Sequence, residues 1–324
     1  MKNWFVPAIA LALGLMANAP GPALAQFGSK PAKIIFPFAA GGSGDAIARL
    51  VGEKLQQATG QPVLVENRTG ASGRIGVVAV KQSEPDGTTI LMSPFTLMLI
   101  YPHIYPSLSY DPAADFAPVS QVASFEFALA VAKDVPVKNV AEFTAWVKAN
   151  PKRASFGTPG PGTLPHFLGD AFSRAGGLGL VHVAYRGASA ALNDLVAGQL
   201  SIGVLPTADV LEQHKAGNIR VLATFDEKRS PYLPELPTIR ESGTPLHGNG
   251  WFAFYVPAKT PPAIVERISQ LTSAALHSPD VKERILATGS IPTGTTPAEL
   301  AELQKIDGGI WAPIVKASGF KPDD

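Results

Sequence analysis

The chain has 324 residues, with 27 lysines and arginines against 26 aspartates and glutamates, and it contains no cysteine. This charge balance argues against nucleic acid or an acidic membrane surface as the partner. The lack of cysteine excludes disulfides, thiol nucleophiles and cysteine-bound metals, so core packing alone must hold the fold together.

Residues 1–25 have the pattern of an export signal. Lys2 supplies a positive charge, an apolar segment follows it, and residues 23–25 (ALA) form a small-x-small cleavage site. We therefore expect cleavage after Ala25, a mature chain that begins at Gln26, and export to the periplasm by the Sec route. The apolar segment is too short to span a bilayer, and no second run of sufficient length follows it.

From Lys33 onward, strand and helix patterns alternate. The segment 33–60 predicts a strand, a glycine-rich turn at 39–45, and an amphipathic helix that Gly60 ends. Glycines in such a turn let backbone N–H groups face outward at the positive end of a helix dipole. The turn is therefore a candidate anion site.

The remaining predicted elements continue this alternation. Predicted strands cover 62–67, 88–93, 125–132, 154–158, 180–185, 200–205, 219–225 and 251–257. Predicted helices cover 75–82, 139–149, 164–176, 189–198, 263–276 and 298–316, with one more between the strands at 200–205 and 219–225. The segment 230–249, rich in Pro and Gly, is expected to be a surface excursion.

The order of these elements indicates two domains. Alternating strands and helices predict an α/β fold with mostly parallel sheets, and the restart of the pattern near Ala154 predicts two such sheets. We expect a discontinuous first domain, residues 26–126 plus 248–324, and a second domain of residues 127–247. The two chain crossings between them would form a hinge.

Ligands in open α/β sheets bind beyond the carboxyl ends of the strands. The loops predicted at those ends are all rich in Gly, Ser or Thr: 38–45, 67–74, 93–96, 158–163 and 185–189. If the two domains face each other, these loops converge in one cleft. Such a cleft offers backbone N–H groups, hydroxyls and helix dipoles, which suit carboxylate oxygens.

Individual residues in these loops also have simpler interpretations. Thr163 could serve as the N-cap of its own helix and have no other role. Asp45 could cap its own helix or receive a ligand ammonium. His166 and His182 are expected to be structural. Whether the three nearby arginines touch a ligand is left open by the sequence: Arg68, Arg74 and Arg186.

Catalytic motifs are missing from the sequence. It has no G-x-S-x-G elbow, no HExxH, no P-loop, and its six histidines are scattered. We therefore predict no catalytic residues, no metal site, no cofactor and no enzymatic activity.

Several motifs resemble one protein family. They are PFAAGGSGDAIAR (37–49), ENRTGASGRIG (66–76), YDPAADFAPVSQVA (110–123), FGTPGPGTLPHFLGDAF (156–172), HVAYRGASAALNDLVAGQL (182–200) and LPELPTIRESG (233–243). By their order and spacing, the chain resembles the Bug proteins, the periplasmic solute receptors of tripartite tricarboxylate transporters. The resemblance covers essentially all of the mature sequence.

The resemblance implies a type II periplasmic-binding-protein fold, with two doubly wound α/β domains, a central cleft and a hinge. It implies a monomer that binds a small mono- or dicarboxylate and works with membrane transporter subunits. Carried over motif by motif, the implied ligand-binding residues are Phe38, Ala40, Gly41, Asp45, Ser72, Ser93, Thr96, Thr158, Thr163 and Tyr185. Leu205 and Pro206 stand where the family often has a polar pair, which implies an acid less polar than citrate.

Two other function classes compete with a transport receptor. One is a soluble subunit that presents its ligand to a membrane sensor kinase, and its binding chemistry would be the same. The other is a periplasmic hydrolase, for which Ser72 and His166 are weak candidates as nucleophile and base. The sequence does not name the ligand.

Overall fold

The structure of the protein is a computed structural model that describes residues 30–185 and 187–322. The predicted export signal, the cleavage point before Gln26, and Arg186 lie outside the described residues. Among the residues described, no helix combines the length and the apolarity that crossing a bilayer requires.

Eleven strands and eleven α-helices are described. The strands are β1 (Ala32–Phe36), β2 (Val63–Asn67), β3 (Thr89–Pro94), β4 (Phe116–Phe125), β5 (Phe127–Ala132), β6 (Ser155–Thr158), β7 (Val181–Ala184), β8 (Ile202–Pro206), β9 (Ile219–Thr224), β10 (Gly250–Pro257) and β11 (Ser290–Pro292). The helices are α1 (Ser43–Thr59), α2 (Arg74–Lys81), α3 (Tyr101–Ile104), α4 (Pro112–Asp115), α5 (Val140–Ala149), α6 (Leu164–Gly176), α7 (Ala188–Val196), α8 (Thr207–Lys215), α9 (Pro262–His277), α10 (Pro279–Ala287) and α11 (Pro297–Ser318). A π-helical turn, Thr96–Ile100, precedes α3.

The strands form two sheets, as the sequence predicts. The six-stranded sheet has the order β11-β4-β10-β3-β1-β2, and the five-stranded sheet has the order β7-β6-β8-β5-β9. We call these sheets, with the helices packed on them, the first and the second lobe. Both lobes are α/β layers, which confirms the predicted fold class.

Each sheet is mixed rather than simply parallel. Strands β1, β2 and β3 run parallel, but β10 lies between β3 and β4 and is antiparallel to both. In the second lobe β6, β7 and β8 run parallel, whereas β5 lies antiparallel between β8 and β9. Both strands were predicted from the sequence, but their antiparallel placement between neighbouring strands was not.

The strand directions bring the two carboxyl edges together. Strand β4 ends at Phe125 on the edge where β1, β2 and β3 also end, because β4 and β3 are both antiparallel to β10. Only Glu126 separates it from β5, which begins at the edge where β6, β7, β8 and β9 end. The loops beyond both edges therefore face the same region.

Two apolar cores support these sheets. One lies between the first sheet and α1, α9 and α10, and the other begins on the opposite face of that sheet and continues through the second lobe. Helix α11 packs on β4 and also on α6, so it contacts both lobes. Its Trp311 is buried and lies against Gly248.

Three details of the sequence prediction were wrong. The single strand predicted at 125–132 is two strands in different sheets, and most of β4 was missed together with α10. The segment 230–249 is not a simple surface excursion. Leu233 and Ile239 are buried there, and Thr238 forms a β-bridge with Thr224.

Candidate functional site

The first-lobe loop, residues 39–45, joins β1 to α1. Its Ala39 to Ser43 portion is exposed, and Gly42 takes the N-cap position of α1 with φ −83° and ψ 171°. No side chain caps this helix. The first N–H groups of α1 therefore remain available at the positive end of the helix dipole.

A charged network under this loop holds its shape. The Asp45 carboxylate accepts hydrogen bonds from the Gly41 N–H at 3.0 Å, from Arg49 at 2.9 and 3.1 Å, and from the Asn67 amide at 2.9 Å. The same Asn67 amide donates to the Phe38 carbonyl at 3.0 Å, which ties the end of β2 to the loop.

The electrostatics of Asp45 follow from this network. Burial alone would raise the pKa of the Asp45 carboxyl, but the hydrogen bonds from Arg49, Gly41 and Asn67 lower it below its usual value. Asp45 is only 5% exposed. Its carboxylate thus organises the loop from below and is not presented to the cleft.

The second loop, 67–74, has an unusual backbone. Gly70, Ala71, Ser72 and Gly73 all have positive φ, at 120°, 46°, 54° and 92°. Left-handed conformations are costly for non-glycine residues and concentrate at ligand-binding sites. The Tyr101 hydroxyl donates to the Ser72 carbonyl at 3.0 Å and helps to fix this turn. Ser72 is exposed to solvent.

The described arginines near these loops have other partners. The Arg74 guanidinium donates to the Ala71 carbonyl at 2.9 Å and lies 3.9 Å above the centre of the Tyr105 ring. Arg68 forms an ion pair with Glu66. In this conformation both guanidinium groups stabilise the loop.

The third loop contains Ser93 and Thr96. Ser93 has no exposed surface, and its hydroxyl donates to the Pro94 carbonyl at 3.0 Å. Thr96 is half-buried at the start of the π-helical turn. Only Thr96 of this pair therefore has surface from which to touch a ligand directly.

The second-lobe loop, 158–163, joins β6 to α6 and is held by neutral groups. The hydroxyls of Thr158 and Thr163 both donate to the Gly160 carbonyl, at 3.1 and 2.7 Å. Thr163 occupies the N-cap position of α6, but its hydroxyl does not cap the helix. The helix N-terminus is therefore left open, as it is in the first-lobe loop.

Two histidines stack beneath this second-lobe loop. The rings of His166 and His182 lie 3.8 Å apart at an interplanar angle of 17°. The Gly162 N–H donates to His166 Nδ1 at 3.1 Å, and His182 Nε2 lies 2.7 Å from the Thr158 hydroxyl. Burial lowers the pKa of the His166 imidazole to about 4, and burial together with the neighbouring His166 lowers the pKa of His182 to about 4.

Tyr185 lies beside the 158–163 loop of the second lobe. Its hydroxyl donates to the Asp194 carboxylate at 2.9 Å, and its backbone N–H donates to the Thr158 carbonyl at 3.1 Å. Burial and the Asp194 carboxylate raise the pKa of the phenol to about 12. The half-buried ring packs on Gly157, where a Cβ atom would lie 2.9 Å from it.

The loops of the two lobes meet. Phe38 and Leu97 pack on the backbone of Gly73, which joins the first, second and third loops. A cavity of about 140 Å³ beside them is lined by residues of both lobes and of the C-terminal segment: Ser72, Tyr101, Ile104, Tyr105, Pro161, Gly162, Phe320 and Pro322. Of the five loops expected to converge, this cavity brings together 67–74 of the first lobe and 158–163 of the second.

Sequence reasoning missed the residues that organise the loops. Asn67 joins two loops of the first lobe, and the stacked histidines support the loop of the second lobe. Asn67 stands directly at a predicted strand end, which could have marked it. Nothing local links His166 with His182, because the contact forms only when β7 pairs with β6.

The sequence profile described as "Tripartite tricarboxylate transporter family receptor" matches residues 47–320. Protein BugT of Bordetella pertussis is 32% identical over 295 residues, which are 90% of this chain and 90% of that protein.

Solved structures give the same result. The structure of R. palustris Rpa4515 with adipate has a TM-score of 0.81 and 29% identity, covering 92% of this chain and all of that one. MatC from Rhodopseudomonas palustris with bound malate has a TM-score of 0.76 and 26% identity, covering 89% of this chain and 99% of that one. With two α/β lobes, facing loops and a profile match over most of its length, this chain belongs to the tripartite tricarboxylate transporter receptor family.

Proposed function

We propose that the protein is a periplasmic receptor that captures a small mono- or dicarboxylate between its two lobes and delivers it to membrane transporter subunits. The observation that carries this proposal is the pair of uncapped helix N-termini, at α1 and α6, beyond carboxyl edges that face each other. Each offers backbone N–H groups and a helix dipole to an anion.

The ligand contacts belong to the same proposal. Among the residues that the resemblance implies, seven retain surface from which to touch a ligand: Phe38, Ala40, Gly41, Ser72, Thr96, Thr163 and Tyr185. The other three act from beneath the loops: Asp45, Ser93 and Thr158. Because the nearby described arginines already have partners, neutral donors provide the binding.

The ligand we propose is an acid of moderate polarity. Leu205 and Pro206 end β8 at the carboxyl edge of the second lobe, where they contribute no hydrogen-bond donor side chain. The relatives solved with adipate and malate carry a six-carbon and a four-carbon dicarboxylate, which supports a ligand of this size.

We propose that residues 26–126 plus 248–324 and residues 127–247 are the two hinged domains, and that closure around the ligand makes the form read by the transporter. Export with cleavage after Ala25, a monomeric state and the lack of catalysis belong to the same proposal. The hydrolase alternative is disfavoured because His166 Nδ1 already accepts the Gly162 N–H.

A thermal-shift screen tests this function. The screen would contain adipate, malate and benzoate as acids, with glucose and putrescine as neutral and cationic controls. At a hundredfold excess over Kd, a binding acid should stabilise the protein by about 2.7 kcal/mol. Small-angle scattering should then show a smaller radius of gyration at saturation. Stabilisation by glucose or putrescine, without stabilisation by any acid, would refute the proposal.

A further inference from the structure

We infer that His166 is the positioning residue of the second-lobe anion loop, and that it acts as a neutral acceptor which holds Gly162 in place. The inference rests on the proposed function for its effect on binding, although the hydrogen bond itself is testable without any ligand. His166 itself does not touch the ligand. It fixes the backbone that does.

His166 holds Gly162 in a left-handed backbone conformation. This glycine has φ +69°, is buried, and donates its N–H to His166 Nδ1 at 3.1 Å. That bond joins the loop to the first turn of α6. With Gly162 fixed, the next N–H groups, of Thr163 and Leu164, are held at the open helix N-terminus. Pro165 then follows and has no N–H to offer.

The hydrogen bonds of the two imidazoles assign their protons. Because His166 Nδ1 accepts a hydrogen bond, the neutral ring carries its proton on Nε2. The Thr158 hydroxyl gives its single proton to the Gly160 carbonyl, so it must accept from His182 Nε2. Each imidazole therefore has one defined tautomer. His166 accepts from the Gly162 N–H, and His182 donates to the Thr158 hydroxyl.

The surroundings of His166 keep it neutral. If both imidazoles were protonated, their positive charges would lie in stacked rings only 3.8 Å apart, and this repulsion disfavours double protonation. Phe320 covers the outer side, with ring centroids 5.2 Å apart, and would lie 2.9 Å from a Cβ on Gly162. The charge of Asp170, which is paired with Arg174, favours protonation of His182.

The C-terminal segment completes this arrangement. After α11 ends, Phe320 packs against His166 and Phe167. Its ring is also the side chain that a Cβ on Gly162 would meet first. An apolar cover excludes water, which would compete for the Nδ1 lone pair and loosen the Gly162 bond. The loop is thus preorganised for a ligand before the lobes close.

The test compares two substitutions of the same residue. In His166→Asn, the amide oxygen replaces Nδ1 as the acceptor. In His166→Phe, the ring and its packing remain but the acceptor is lost. We expect His166→Asn to bind the best acid of the adipate, malate and benzoate screen nearly as well as wild type. We expect His166→Phe to bind it about tenfold more weakly.

Hydrogen exchange of the free protein provides the ligand-independent readout. The Gly162 amide should exchange slowly in wild type and in His166→Asn, and much faster in His166→Phe. Full-strength binding and a protected Gly162 amide in His166→Phe would overturn the inference. If no acid binds wild type, the proposed function fails, and the exchange result still decides the role of His166.

A measurement on wild type covers the case in which His166→Phe does not fold. Nitrogen-15 NMR should detect scalar coupling between the Gly162 amide nitrogen and His166 Nδ1, because an N–H···N hydrogen bond joins them. A protonated Nδ1, or no coupling at neutral pH, would overturn the inference.

Discussion

The two glycine-rich loops, for which we propose the same task, are built with different chemistry. The first-lobe loop, 39–45, is exposed and is organised by an ionised carboxylate, Asp45, bound to a guanidinium and an amide. The second-lobe loop, 158–163, is largely buried and is organised by hydroxyls and neutral imidazoles.

The difference follows from where each loop lies. Asp45 is buried, but Arg49 keeps half of its side chain in water, and the hydrogen bonds from Arg49, Gly41 and Asn67 outweigh the desolvation of the carboxylate. Under the second-lobe loop an isolated charge would be expensive, so neutral donors and acceptors satisfy the backbone there. Both solutions leave a helix N-terminus open to an anion, but they should respond differently to mutation and to pH.

The largest expected effect is on binding, from Thr163→Asp. The N-cap backbone of Thr163, with φ −86° and ψ 162°, suits Asp, so the melting temperature should stay near that of wild type. A like charge about 4 Å from a bound carboxylate costs on the order of 4 kcal/mol at an intermediate dielectric, or roughly a thousandfold in affinity. Calorimetric titration with the stabilising acid measures this loss.

Thr163→Asn is the matched control, because it has the size of Asp and no charge. It should keep most of the affinity. If Thr163→Asp binds as well as Thr163→Asn, the second lobe does not face the anion, and the first lobe would have to hold it alone.

The next effect is on stability, from Asp45→Ala. This change removes the acceptor for the Gly41 N–H and the Asn67 amide, so it should lower the free energy of unfolding by about 2 to 3 kcal/mol. Thr158→Val, which removes one neutral hydroxyl from the other loop, should cost about 1 kcal/mol. Urea unfolding measures both values. Equal costs would mean that the charged network has no special weight.

Charge can also be added to the first-lobe loop. Gly41 has φ +95°, so an Asp there would combine strain with repulsion, whereas Gly42 has φ −83° and open space around it. Gly42→Asp should weaken acid binding by about 1 to 2 kcal/mol, less than Thr163→Asp, because solvent screens this exposed loop.

Gly42→Asn supplies the uncharged comparison for the same titration. It should bind close to wild type. A loss as large in Gly42→Asn as in Gly42→Asp would point to altered loop shape and not to charge.

Much of this arrangement could be predicted from the sequence, and the reason is local. Helix α6 covers the predicted residues 164–176, with Pro165 in its first turn and the left-handed Gly177 at its C-cap, and the glycine-rich turns lie at strand ends as expected. Local patterns failed where distant segments decide the structure. Strand β4 contains Pro118 and polar residues, and it becomes a strand because β10 and β11 pair with it.

The candidate site shows the same division. The loops were identifiable from composition, but the roles within them were not. The family resemblance implies that Thr158 and Ser93 bind the ligand, and the structure buries both residues completely. The stacking of His166 on His182 depends on a tertiary contact between α6 and β7 that no spacing rule encodes.

A change in pH should also separate the two loops. Burial lowers the pKa of His166 to about 4, against 6.5 for the ordinary group, so the unfolded chain binds more protons between these values. This contribution to stability is therefore present above pH 6.5 and is lost as the pH falls toward 4. The pKa of Asp45 is also lowered, from 3.8, so its contribution is lost only below that pH. Between pH 7 and 5, then, only the second-lobe loop should weaken.

Urea unfolding of wild type and His166→Asn at pH 7 and pH 5 measures this difference. Burial raises the pKa of Glu126 to about 7, which gives the opposite slope, because its protonated form is favoured in the folded state. Glu126 is present in both proteins, so subtraction removes its effect. Wild type should lose about 2 kcal/mol relative to His166→Asn on going from pH 7 to pH 5. Parallel pH curves would mean that His166 titrates normally, and the contrast between a charged and a neutral loop would then fail.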